Sequence, residues 1–243
     1  MKKHMSVLML IARSTVYRVL GVLVLMTGLE VFLFSRAIET LRSGEIIGLE
    51  YAFSKALTIW LFLAAFVAVY IILMSSMKNK KSSPKYTLLR LSISEKQFFL
   101  WNALYNTACF ALLMLIQISV VIGLCHYYMK SGVDASASVQ TVFLAFYRSD
   151  FLHSLVPFDK PANIIANILL PVIMGLICAR HTVTELWGKG TFWLTYWAIY
   201  FGLRGFLRPV DDDIYSVYLW IFLIFGVADV AVYLWKKEAG HEE

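Results

Sequence analysis

Three ionisable residues, Glu30, Arg204 and Asp229, lie inside long apolar stretches of the chain, and any chemistry done there falls to them. A charge in hydrocarbon is costly. It is kept either because it touches an ion or polar substrate, or because it pairs with an opposite charge and fixes helix packing. Helical rise places Glu30 about 18 Å beyond Arg18, and Arg204 about 20 Å beyond Thr191. Similar depth and opposite sign predict that Glu30 and Arg204 approach each other, within one chain or across a dimer. Asp229 lies about 9 Å before Trp235, level with Arg18, which is its expected partner. The other residue types offer less. There is no G-x-S-x-G, no H-E-x-x-H and no pair of glutamates in one apolar run, so the means of intramembrane proteolysis are missing. His126 and His153 are two lone histidines, too few for a metal site. Cys109, Cys125 and Cys178 have no metal-type spacing and read as small apolar residues, giving neither disulfide nor zinc. "WGKGTF" at 187–192 lacks the first glycine of a phosphate-binding loop and follows no strand. No catalytic residue and no metal ligand is assigned.

The elements that must position these charges are apolar and long. Of 243 residues, 60% are hydrophobic and 16% charged, against about 25% charged in an ordinary soluble domain. The charges are segregated, leaving runs near the roughly 20 residues that cross a bilayer. The chain therefore reads as an all-α polytopic membrane protein, a single transmembrane domain over residues 1–243 without internal repeats. Six spans are expected: Val16–Phe34, Ala56–Met77, Phe98–Cys125, Ala162–Ala179, Thr191–Leu207 and Ile214–Trp235. Pro171 should kink the fourth. Lys2 and Lys3 precede an apolar run interrupted by Arg13 and Arg18, without a small-residue cleavage site, so the N-terminus is expected to be retained.

Charge settles the count. With six spans and both termini cytoplasmic, 14 of the 22 basic residues lie inside, counting Arg18 at the inner end of the first span, and seven outside, with Arg204 deep within a span. Treating Ala135–Leu152 as a seventh span would leave 12 inside and nine outside, which weakens the positive-inside bias. Ala135–Leu152 is then an amphipathic or re-entrant piece of a large external loop, 126–161. The net charge of +6 follows span ends and does not point to nucleic acid. Residues 1–15 form either an interfacial segment along the inner surface or the start of a longer, tilted first span. Asn102, Asn106 and Gln117 on the third span suit hydrogen bonds between helices. Trp101, Tyr127, Tyr128, Trp187 and Trp235 read as interface anchors.

The loop 78–97 between spans two and three is more ordered in sequence than a linker needs to be. Ser83 and Pro84 read as a helix start, followed by a short helix carrying Leu88, Leu89, Arg90 and Leu91. Ser94 and Gln97 then have capping-box spacing, with Glu95 in the new first turn and Ile93 and Phe98 placed as a hydrophobic staple. The result is a short helix held at a set angle to the third span. One use is to anchor the loop, with Lys78, Lys80 and Lys81 on anionic membrane lipid. The other is to receive motion from a cytoplasmic partner.

With its apolar N-terminal stretch, six spans and "TLLRLSISEKQFFLWNALYN" at 87–106, the chain resembles the permease subunits of ABC-2-type ABC transporters. The resemblance is good over the first half and poor over the second. It implies that Pro84, Leu88, Leu89, Arg90, Leu91, Ser94, Glu95 and Gln97 form a coupling helix seated on a cytoplasmic ABC ATPase subunit. It implies an exporter in a bacterial cell membrane, moving a lipid, glycan, peptide or drug-like substrate. ATP and Mg would then be bound by the partner ATPase, this chain would carry no cofactor and be no enzyme by itself, and a second permease copy or a paralogue would complete the complex. The pattern differs from the family in its short connection "RPVDDD" at 208–213 and in its large external element between spans three and four. An accessory or substrate-capture membrane protein without transport of its own fits the same size and span count.

Overall fold

The computed structural model describes residues 2–42, 48–75, 94–132, 138–158, 160–186, 192–207 and 213–239. These residues are helical throughout, with turns and no strand among them. The helices are α1 (Lys2–Arg42), α2 (Leu49–Lys55), α3 (Thr58–Met74), α4 (Glu95–Lys130), α5 (Val139–Arg148), α6 (Asp150–Leu155), α7 (Pro161–Leu186), α8 (Phe192–Phe206) and α9 (Asp213–Ala239).

Among the described residues, three helices are long and apolar enough to cross a membrane, in α1, α4 and α7. The pair α2 and α3, bent by 47° at its break, counts as a fourth if taken as one span. The burial pattern agrees with a membrane setting. Outward faces carry large apolar side chains such as Val24, Leu104, Ile168 and Ile224, while Thr15, Glu30, Asn102, Gln117 and Thr182 are buried inside. Water would favour the opposite arrangement, whereas lipid favours it as found.

Several boundaries depart from the sequence expectation. Residues 2–15 are not a separate helix, because α1 is continuous from Lys2 through residues 15 and 16 to Arg42. Nothing in MSVLMLIARSTVYR breaks a helix: it has neither proline nor glycine. The second span does not start cleanly at Ala56. Leu57 takes a left-handed backbone, φ 53° and ψ 28°, and separates α2 from α3. A leucine there costs about 1–2 kcal/mol, which the buried flanks Ala52, Phe53, Ala56 and Thr58 must offset. α4 runs past both ends of the expected third span, and α7 runs unbroken through Pro171 to Leu186.

α4 and α7 form the centre; α1 packs on α3 and α4, α9 packs on α7 and α8, and α3 reaches both α7 and α8. The two central helices come close at Gly175 of α7, where an added Cβ would stand 2.6 Å from the Thr107 backbone nitrogen. Small residues allow membrane helices to meet this closely. Phe62, Phe66, Phe151 and Phe206 tie α3, α6 and α8 together, with the Phe62 and Phe206 rings edge to face at 4.8 Å.

The helices between α4 and α7 are two unlike parts. α5 is amphipathic and largely exposed, with Val139, Phe143 and Tyr147 outward. α6 is buried along Phe151 to Leu155. The Ser154 hydroxyl donates to the Phe206 carbonyl at 2.9 Å, and the Asn167 side-chain nitrogen donates to the carbonyls of Ser154 at 2.7 Å and Leu155 at 3.2 Å. One asparagine on α7 thus satisfies the carbonyls that end α6.

Candidate functional site

Pro84, Leu88, Leu89, Arg90 and Leu91 lie outside the described residues, as does Ile93 of the expected staple. Ser94, Glu95 and Gln97 are described, and the helix start read from the sequence is present. Ser94 has extended backbone at φ −67° and ψ 148°, and its hydroxyl accepts from the Gln97 N–H at 3.3 Å. Glu95 sits in the first turn, where a negative charge suits the helix N-terminus. Phe98 and Phe99 follow at once and are buried. The start of α4 is therefore fixed at both ends of its first turn, by a cap and by core packing.

Within one chain, Glu30, Arg204 and Asp229 do not pair as helical depth suggested. Glu30 is fully buried, and within the chain its carboxylate accepts from the Gln117 side-chain nitrogen at 3.3 Å, not from Arg204. Asp229 forms an ion pair with Arg180, not with Arg18. The physical reason is lateral. Depth along the membrane normal says nothing of which helices are neighbours. α1 packs on α3 and α4, whereas α8 and α9 pack on each other and on α7. Arg180 was expected just past the end of the fourth span at Ala179. Because α7 continues to Leu186, Arg180 and the pair His181–Glu185, 3.7 Å apart, lie on the helix itself. A sign was present in the sequence: no glycine or proline follows Ala179 before Gly188.

The polar face of α4 is buried. The Tyr105 hydroxyl shares a 2.8 Å hydrogen bond with Thr15, joining α4 to α1, and Gln117 makes a second link through Glu30. The expected interhelical role holds for Gln117. The Asn102 side chain, also buried, has no hydrogen-bond partner among the described residues. Cys109, Cys125 and Cys178 are buried. His126 is exposed and His153 is buried with its ring 6.3 Å from that of Tyr147. Among the described residues no three His, Cys, Asp or Glu side chains gather as metal ligands.

A groove of about 490 Å³ opens between α7, α8 and α9. Trp197, Phe201, Ile221, Phe222 and Phe225 form its walls, and among the described residues Asp229 supplies the one charged side chain that lines it. Trp197, Phe201 and Phe222 stack in sequence with centroids 5.3 and 5.4 Å apart. The floor exists because Gly226 lies against α7, where an added Cβ would stand 2.6 Å from Ile173 Cγ2. Asp229 and Arg180 are both mostly buried, their side chains 24% and 18% exposed. This ion pair beside an apolar groove, together with the capped start of α4, makes up the candidate site.

Compared with known proteins, the chain matches no family model, no curated protein and no solved structure.

Proposed function

We propose that the chain is the permease subunit of an ATP-driven exporter, powered by a separate cytoplasmic ABC ATPase. In this reading α1, the bent pair α2–α3, α4, α7, α8 and α9 are six spans, both termini face the cytoplasm of a bacterial cell, and segment 78–97 is the coupling element. The observation that carries the reading is the start of α4. A helix capped by Ser94 and anchored at once by Phe98 and Phe99 passes a push on the preceding segment into the core instead of bending. α4 is also the helix most broadly packed against α7, so movement of one carries the other. A second permease copy is supported by α1. Its outward face carries Tyr17, Val24, Leu25 and Phe32, with open space above Gly21 and Gly28.

The test is co-purification from the native membrane. An ATPase should accompany the full chain, and deletion of residues 84–91 should release it while the remaining helices keep their circular dichroism and monodispersity. An ATPase that stays bound to the deleted chain misplaces the coupling element. A full chain that brings none favours an accessory protein.

A further inference from the structure

We propose that the groove between α7, α8 and α9 binds an amphiphile with an ammonium head and a single apolar tail or body, the head at Asp229 and the tail along Trp197, Phe201, Phe222 and Phe225. The proposal rests on the exporter reading for its meaning, since it would name the substrate class, but the groove's chemistry is independent of that reading.

Three observations select this occupant. The walls are aromatic and aliphatic, and Trp197, Ile221 and Phe225 remain partly exposed, so the groove is open to a molecule arriving from the lipid side. Its volume, about 490 Å³, falls within the roughly 300–1,000 Å³ of sites for drug-sized ligands and suits one tail better than the two chains of a bilayer lipid. The sign of the head follows from which member of the ion pair faces the space. Asp229 lines the groove and Arg180 does not. A carboxylate has about four lone-pair sites, and one guanidinium does not use them all. The aromatic faces act in the same direction, because a ring face attracts a cation and not an anion. Arg180 holds the Asp229 side chain in place before the ligand arrives, and a primary ammonium brings three donors to the remaining acceptor sites.

The measurement is tryptophan quenching by 12-bromododecylamine, with the purified chain in phosphatidylcholine nanodiscs and no ATPase present. Trp197 stands in the groove wall, so occupancy should quench saturably. Trp197→Phe should remove the saturable component, and Ala228→Trp, which fills the groove, should abolish binding. Replacing the ion pair by Arg180→Gln with Asp229→Asn preserves hydrogen bonding without charge. It should weaken the amine about tenfold or more and leave 12-bromododecanol unchanged. The proposal is overturned by quenching that rises linearly and equally in all variants, which is partition into the bilayer. It is overturned equally if the bromododecyl sulfate binds as well as the amine, if excess phosphatidylethanolamine displaces the amine, or if Ala228→Trp alters the oligomeric state, which would assign the groove to a second copy. A chain that binds the amine but brings no ATPase from the membrane refutes the exporter reading alone. One that brings the ATPase but shows no saturable quenching refutes the groove alone.

Discussion

Replacing Gly175 by alanine tests how tightly α4 and α7 are locked. The new Cβ would stand 2.6 Å from the Thr107 nitrogen and 2.8 Å from its Cα, where ordinary contact begins at 3.4 Å. Both obstacles are backbone, so no rotamer change relieves the clash, and the helices must part by about 1 Å along their shared face. Helix propensity alone favours alanine over glycine by about 1 kcal/mol. Overpacking costs typically about 1–3 kcal/mol, and an immovable neighbour places the cost at the upper end. The net expectation is destabilisation by about 1–2 kcal/mol, opposite in sign to what propensity predicts. Gly123→Ala on α4 is the matched control, because nothing lies within 4 Å of the Cβ it adds. Equilibrium unfolding in mixed micelles, with dodecyl sulfate as denaturant and helicity as signal, compares the two. Gly175→Ala should unfold at a lower dodecyl sulfate fraction than the parent, and Gly123→Ala at an equal or higher one. If Gly175→Ala is as resistant as Gly123→Ala, the close packing of α4 on α7 is wrong, and so is the idea that they move as one body.

Two further substitutions bear on the ends of the candidate machinery. Ser94→Ala removes the hydroxyl that accepts from Gln97, at a cost of about 1 kcal/mol to the first turn of α4. Amide exchange at Gln97 should accelerate about fivefold, and Ser94→Asp should restore its protection. Unchanged exchange in Ser94→Ala would leave the stiff entry into α4 without support. Asn167→Leu keeps the branched side-chain skeleton but removes the donor to the Ser154 and Leu155 carbonyls, costing about 1–3 kcal/mol. Exchange should quicken over 150–155 and stay unchanged in α4, whereas a uniform change would show that α6 is not held by this residue.

The sequence by itself determined the elements. Apolar runs separated by charges specified helices suited to lipid, and the Ser94 cap was legible because capping depends on residues three apart in the chain. It also marked Glu30 and Asp229 as residues that need partners, since a charge in an apolar run is anomalous wherever it ends up. The partners themselves were decided by tertiary structure. Glu30 reaches Gln117 because α1 lies on α4, and Asp229 reaches Arg180 because α9 lies on α7. Hydropathy and helical rise fix depth along one axis, while neighbourhood around that axis depends on which side chains interlock. That is set by particular contacts such as Gly175 on Thr107 and Gly226 on Ile173. Helix ends were misread for a related reason. Hydropathy stops at the first charge, but a backbone without glycine or proline continues its hydrogen bonds past it, which is how Arg180 came to lie on α7. The groove beside Asp229 has no linear signature, because its walls come from three helices that only packing brings together.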